Sequence, residues 1–321
     1  MPPDSTYSVE NITDTASLPD SIRVLVREAI QSAGQKSSTT PVISYASHQS
    51  YEVFNIVCFL VGGIVIFLLL KYLRYRYLVK KIEEIYERRR ADYHNILCKS
   101  NPYYNGLGTT SQERFIKRTI YFMEAKDFEY VGLQETVEIP LLISATAIQL
   151  TFGLEHYMLN YFQKIYVMRE NYQYGLSPTP FEGHVNENGI YLSWNNFVRE
   201  YTEYTDGENV GLHEMAHALV YVNFTAGGDG VDDTFKQKFY EFSPIARPIF
   251  SRMQEGETNM LNKYAATNYE EFWAVCIESF FERPFPFREQ LPTLYFALCK
   301  LLNQDPTTKE KVLDTAAVIK A

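Results

Sequence analysis

Cysteine is scarce in this 321-residue chain and is not arranged in pairs. Small secreted domains that rely on disulfides use cysteine much more densely, often at regular spacings. Here no two cysteines form a CxxC motif. We therefore predict reduced thiols, which argues against a disulfide-stapled secreted protein; the four cysteines lie at positions 58, 98, 276 and 299.

An excess of positive charge is also missing. The chain has 30 Lys and Arg against 39 Asp and Glu, which gives a net charge of −9. A protein that binds nucleic acid needs a basic face, and the composition offers no sign of one. We predict no nucleic-acid partner. Hydrophobic residues make up 46% of the chain, as in folded globular proteins, which argues against disorder throughout.

One segment lacks charge altogether. Residues 53–70 read VFNIVCFLVGGIVIFLLL, without a single charged side chain. At about 1.5 Å per residue this run covers roughly 27 Å of helix, enough to cross a bilayer. We predict a transmembrane helix over 51–72 that contacts the lipid bilayer through residues 53–70; a buried core helix is the alternative. A cleaved signal peptide does not fit, because the run begins only at residue 53.

Basic residues are distributed unevenly around this run. In the twenty residues before it the only basic residue is Lys36, whereas Lys and Arg are frequent between 71 and 90. Positively charged flanks stay on the cytoplasmic side of a membrane. We therefore predict a single-pass protein of the cell (inner) membrane, with its N-terminus outside and its C-terminal domain in the cytoplasm. The reversed orientation is the alternative, and anionic lipid head groups are a second possible role for the basic stretch.

The rest of the chain divides into three further regions. Residues 1–50 are predicted to form an external tail with one amphipathic helix over 17–34. Residues 73–108 continue the membrane helix as a charged juxtamembrane helix and end in a linker, where NPYYNGLG at 101–108 breaks the helix. Residues 109–321 form the main domain.

Within the main domain helices dominate. Helical patterns cover 110–126 and 137–154, and about five more segments follow residue 195. Although 137–154 is apolar, it contains Ser, Thr and Gln, so we predict a buried helix and not a second membrane span. Stretches rich in β-branched and aromatic residues predict a small sheet. The fold class is therefore α+β, mostly helical; the predicted strands are 128–133, 164–169 and 189–194.

The most informative motif is HEMAH at 213–217. On a helix, residues i and i+4 lie on one face about 6 Å apart, so His213 and His217 can both reach one zinc ion. Glu214 stands beside such an ion, where it can accept a proton from an activated water molecule. The alternative is a pair of surface histidines on an ordinary helix.

A catalytic zinc needs a third protein ligand, and HExxHxxGxxH is absent here. Downstream, Asn268 can cap a helix in which Glu271 and Glu278 share one face. A carboxylate on an otherwise apolar face needs a partner, and a metal is one. Glu278 lies two turns further on, where it can hydrogen-bond a ligand histidine. From these residues alone, an ordinary helix-start acid at 271 is an equally good interpretation, and Tyr264 is one packing tyrosine among many.

Taken together, these motifs resemble the Mlc titration factor A family of glucose-regulated zinc peptidases, whose catalytic domain is similar to that of anthrax lethal factor. The resemblance covers roughly residues 115–306. It rests on five segments of this sequence: HEMAH at 213–217 followed by Leu219, YAATN at 264–268, EFWAV at 271–275, ESFF at 278–281, and PTLY with QDP between 292 and 306.

The resemblance implies a site and a fold. One Zn²⁺ per chain would be held by His213, His217 and Glu271, with Glu214 as the general base and Tyr264 as a donor to the transition state. Residues 109–321 would then form a zincin-like zinc metallopeptidase domain. The family usually has Asp three residues after the second histidine, where this chain has Val220. Family members are peptidases, with aminopeptidase-type activity for the founder, which also binds a transcriptional repressor.

Two functions follow as hypotheses. The first is a membrane-anchored zinc metalloprotease, a hydrolase that cleaves a peptide or protein substrate in the cytoplasm. The second is a membrane-tethered binding protein that holds a regulatory protein partner without catalysis. A structural zinc would normally have a fourth protein ligand, and no well-placed His or Cys offers one, which favours the enzyme.

Overall fold

The computed structural model describes residues 45–175, 178–227, 230–308 and 312–313, together with positions 24 and 27. The helix predicted over 17–34 therefore falls almost entirely outside the described residues. Two compact units meet in sequence between Lys71 and Tyr72. The boundaries predicted at 72 and 108 stay predictions.

The first helix, α1, runs from Tyr45 to Ser100 over 56 residues. Its apolar stretch has a mean hydropathy of 2.9 and none of it is buried. Among the described residues it is the one helix long and apolar enough to cross a membrane. The alternative of a buried core helix therefore finds no support. The same helix continues through the charged segment 73–98, as predicted, because nothing in that segment breaks it.

The unit that begins at Tyr72 is mostly helical. After α1 comes a single helical turn, α2 (Pro102–Asn105), at the place where only a break was predicted; the Asn101 side chain caps it. The described residues after 193 form six α-helices and one 3₁₀ turn, Lys263–Ala266, where about five segments were predicted. The helices are α3 (Thr109–Ala125), α4 (Glu138–Thr151), α5 (Trp194–Thr202), α6 (Val210–Phe224), α7 (Asp233–Gln254), α8 (Tyr269–Glu282), α9 (Pro284–Gln290) and α10 (Pro292–Leu302).

The sheet has four strands in the order β1-β2-β4-β3. The first two pairings are parallel, and β3 pairs with β4 antiparallel. Three of the strands were predicted, whereas β3 was missed because Gly and Asn at its ends give it a weak strand pattern. The predicted class, mostly helical with a small sheet, is confirmed. The strands are β1 (Asp127–Val131), β2 (Lys164–Met168), β3 (Gly183–Asn186) and β4 (Gly189–Ser193).

The core lies between the sheet and the helices. Helix α4 is buried along almost its whole length, which agrees with the prediction of a core helix and not a second span. Helix α6 packs against α4, α8 and the strands β3 and β4, so it is enclosed on several sides. This position explains why α6 is apolar nearly all round, since a helix that is packed on most of its faces needs little polar surface. It also carries the HEMAH motif into the interior.

Candidate metal centre

Helix α6 positions the two motif histidines. It begins where the Asn209 side chain accepts a hydrogen bond from the backbone N–H of Leu212 at 2.9 Å, and such a cap stabilises a helix by about 1 kcal/mol. One helical turn then separates His213 from His217, and their Nε2 atoms lie 3.0 Å apart. The predicted spacing therefore brings both rings to one point.

Helix α8 delivers the candidate third ligand to the same point. The Asn268 side chain accepts hydrogen bonds from the N–H groups of Glu270 and Glu271, both at 2.9 Å, and so fixes the first turn. The Oε2 atom of Glu271 lies 2.9 Å from His213 Nε2 and 3.5 Å from His217 Nε2. Glu270, by contrast, is exposed. The Trp273 indole N–H donates to the carbonyl oxygen of Ala216 at 2.9 Å, which ties α8 to α6 beside the site.

Glu278 lies on the other side of the His213 ring. Its carboxylate is hydrogen-bonded to Nδ1 of His213, while Nε2 faces Glu271. Burial raises the pKa of Glu278, and the contact with His213 only partly offsets this. Burial alone would lower the pKa of His213, but Glu271 and Glu278 outweigh it and hold that pKa well above its ordinary value. The arrangement fixes the ring and leaves Nε2 directed at the shared point.

The three candidate ligands fit a divalent metal. One atom from each of His213, His217 and Glu271 lies within 4.8 Å of the other two, and no other such group of His, Cys, Asp or Glu occurs among the described residues. Ligands about 2.0–2.1 Å from one tetrahedral zinc would be roughly 3.3 Å apart, close to the separations found here. Burial would raise the pKa of Glu271, but hydrogen bonds with the two histidines lower it to about 2, so the carboxylate is an anion.

Glu214 lies beside these ligands without belonging to the group. It is only 5% exposed, and its Oε2 atom has no hydrogen-bond partner among the described residues. An orphaned carboxylate oxygen in the interior is costly unless another group approaches it. Burial raises the pKa of Glu214 to about 7. A carboxyl group in this condition can take up a proton near neutral pH.

Strand β3 makes room for Glu214. A Cβ atom added to Gly183 would lie 2.6 Å from Cγ and 2.7 Å from Oε1 of Glu214, closer than real contacts allow. The Glu214 carboxylate can therefore occupy this position only because residue 183 has no side chain. Sequence reasoning missed this residue, because the contact joins β3 to α6 and no local pattern signals it.

Tyr264 lies at the edge of the site. Its ring centroid is 6.1 Å from that of His213, and the residue is 52% exposed. Partial burial raises the pKa of its phenol, and the nearby Glu271, Glu214 and Glu278 raise it further. The phenol therefore keeps its proton and can donate a hydrogen bond. His184, one of the upstream histidines, is not among the candidate ligands; Tyr172 and Asn186 hold its two ring nitrogens at 2.9 and 3.1 Å.

Two clefts meet at these residues. The first cleft has a volume of about 440 Å³ and an apolar wall. The second cleft has a volume of about 460 Å³ and is rich in carboxylates. Both are lined by Phe181, Gly183, His213, Glu214 and Tyr264. The two clefts together are therefore large enough for a bound extended polypeptide, which would pass the three candidate ligands where the clefts meet.

Comparison with known proteins adds two findings. Residues 78–302 match the family described as glucose-regulated metallo-peptidase M90. The uncharacterized protein slr2042 of Synechocystis sp. is 24% identical over 233 residues, which cover 66% of this chain and 83% of that protein. The family match begins after the apolar run 53–70 and includes all of the site residues described above.

Proposed function

Because this chain belongs to the glucose-regulated metallopeptidase family M90, as its motifs predicted, we propose that it is a membrane-anchored, zinc-dependent peptidase. The observation that carries the proposal is the convergence of His213, His217 and Glu271, from two helices far apart in sequence, on a single point. Family membership supports a metal and a peptide or protein substrate. The identity of the metal as zinc, the role of each residue and a zincin-like fold are parts of the proposal, and the relation to anthrax lethal factor stays a prediction.

In this mechanism each residue has one task. Bound by the three ligands, zinc would act as a Lewis acid that polarises the scissile carbonyl and makes water a nucleophile at neutral pH. Glu214 takes the proton from the attacking water and delivers it to the amine that leaves as the C–N bond breaks. Glu278 holds His213 in the tautomer whose Nε2 is free to bind metal. Tyr264 donates a hydrogen bond to the oxygen on which negative charge develops.

The proposal is tested on the full chain in detergent. We expect about one zinc per chain and cleavage of internally quenched peptides. Dialysis against a chelator should remove both the zinc and the cleavage, and added zinc should restore both. Circular dichroism before and after chelation serves as the control for unfolding. Cleavage that persists in chains shown to be free of metal would contradict the proposal.

Gly183→Ala is expected to lower kcat on the order of 100-fold while zinc content stays near one per chain. The added methyl group would displace the Glu214 carboxylate, and a shift of about 1 Å in a catalytic group has effects of this size. The ligand residues are not touched. Gly108→Ala is the matched control, since a Cβ there meets nothing within 4 Å. Equal kcat values for the two variants would show that Gly183 does not set the position of Glu214.

We propose that α1 anchors the enzyme with its N-terminus outside and the metal centre in the cytoplasm. The long apolar helix and the Lys and Arg residues that follow it support this orientation. In right-side-out vesicles, a C-terminal tag on the full chain should be protected from added protease and become accessible on permeabilisation. An N-terminal tag should behave in the opposite way. A C-terminal tag cleaved in intact vesicles would reverse the proposed topology.

A further inference from the structure

The two clefts differ in charge. Beyond the shared residues, the second cleft is lined by Glu182, Glu200, Glu208 and Glu278 and by no Lys or Arg of the described chain. Beyond the shared residues, the first cleft has Arg247, Glu270 and Glu271 among apolar and aromatic side chains, chiefly Val220, Tyr221, Phe224, Phe239 and Trp273. Among the described residues, Arg247 is the one guanidinium or ammonium group that lines either cleft. A negatively charged part of a substrate would therefore meet a guanidinium group only in the first cleft, at Arg247.

The Arg247 side chain is oriented by the cleft wall. Its guanidinium carbon lies 4.6 Å from the centroid of the Tyr269 ring, a distance at which the cation is attracted to the face of the ring. Tyr269 is itself fixed, because its hydroxyl donates to Ser243 Oγ at 3.3 Å and its ring stacks on Phe272. The guanidinium is thus held against the wall while its N–H groups are left for another partner.

No carboxylate within the described part of the chain forms an ion pair with Arg247. Glu270 lines the same cleft, but Glu270 and Arg247 are both exposed and are not paired with each other. Arg252, also on α7, does pair with Glu257 at 3.1 Å. An exposed arginine fork that stacks on a ring at a cleft wall and has no ion-pair partner among the described residues is suited to bind a carboxylate from outside.

We propose that Arg247 binds a carboxylate of the substrate and makes the enzyme prefer peptides with a negative charge on the side of the scissile bond that occupies the first cleft. This inference rests on the proposed peptidase function and adds its substrate class. The carboxylate can belong to an Asp or Glu side chain or to the C-terminus of a short peptide. The second cleft is lined by no Lys or Arg of the described residues, so the position of Arg247 also sets the direction in which the peptide lies.

The test uses matched quenched peptides with the full chain in detergent. Mass spectrometry first locates the bond that the wild type cleaves. Glu and Gln are then compared at each position flanking that bond, each peptide as a free acid and as a C-terminal amide. We expect kcat/KM to be about tenfold or more higher for the charged member of a pair, at one side of the bond only. A preference for Glu over Gln assigns the carboxylate to a side chain, whereas a preference for the free acid over the amide, with Glu and Gln cleaved equally, assigns it to the chain end.

Arg247→Gln should abolish this preference, so that kcat/KM becomes the same for the charged and the uncharged peptide. Arg247→Lys, which keeps the charge but loses the fork, should retain only part of the preference. Arg252→Gln is the matched control, since Arg252 lies on the same helix but lines neither cleft. A wild type that cleaves charged and uncharged peptides equally would overturn the inference and leave the peptidase function standing. A wild type that cleaves none of the peptides would refute both.

Discussion

Glu214→Gln is expected to reduce peptide hydrolysis by at least about 1,000-fold while zinc remains bound. General acid–base catalysis contributes on the order of 10²–10⁴-fold, and an amide cannot accept the proton that this mechanism assigns to residue 214. The substitution is nearly isosteric, so the close packing against Gly183 is preserved. The Glu214 side chain is not among the candidate ligands, and zinc content should therefore be unchanged.

The measurement is kcat on a quenched peptide, with zinc determined on the same preparation. Glu270→Gln is the matched control, because Glu270 is an exposed acid that lines the same first cleft. Full turnover by the Glu214 variant would contradict the mechanism. If the wild type itself is inactive but retains a bound protein partner that Glu214→Gln also retains, the hypothesis of a non-catalytic binding protein replaces the enzyme.

Glu271→Gln is expected to remove zinc from the purified chain. The carboxylate is the one anionic group among the three candidate ligands, and it is ionised because its pKa is held at about 2. A neutral amide leaves two imidazoles to bind the ion. We expect the zinc dissociation constant to rise more than 100-fold, a larger effect than the 10- to 100-fold typical of residues that only support a ligand. Hydrolysis should be lost together with the metal.

Zinc competition with a chromophoric chelator measures this change. Glu278→Gln is the control variant for which a smaller effect on zinc affinity is expected. It keeps all three candidate ligands and removes only the carboxylate that is hydrogen-bonded to His213 Nδ1. Its dissociation constant should rise between 10- and 100-fold. An unchanged zinc affinity in the Glu271 variant would show that the third ligand is another group.

Long periodic elements could be predicted from the sequence because their signals are local. The apolar run, the buried helix α4 and strands β1, β2 and β4 each carry their pattern within a few neighbouring residues. Strand β3 is an element that such local patterns did not predict. It is only four residues long, and it is a strand because it pairs with β4 and packs against α6. Its existence is a consequence of tertiary contacts, which no window of sequence contains.

The residues of the site likewise fall into those that the sequence predicted and those that only tertiary packing brings to the site. His213, Glu214 and His217 could be assigned from one motif, since a helix alone sets their spacing. Glu271 and Glu278 could be placed on one helix face, but the sequence alone left Glu271 equally compatible with an ordinary helix-start acid. Only the packing of α8 on α6, tied by Trp273, brings that carboxylate to 2.9 Å from His213. No sequence pattern indicated Gly183 or Arg247, because each is defined by a contact with a residue distant in the chain: Gly183 with Glu214, and Arg247 with Tyr269.

The sequence by itself thus determined a mostly helical domain after an apolar run, the family, and two histidines and a glutamate on one helix. The tertiary structure decided which distant acid meets those histidines, how the general-base candidate is enclosed, and which of the two clefts is lined by an arginine. The physical reason is the distance along the chain over which each effect acts. Helical periodicity and capping act over a few residues, whereas convergence of ligands and the charge of a cleft depend on which surfaces are packed together.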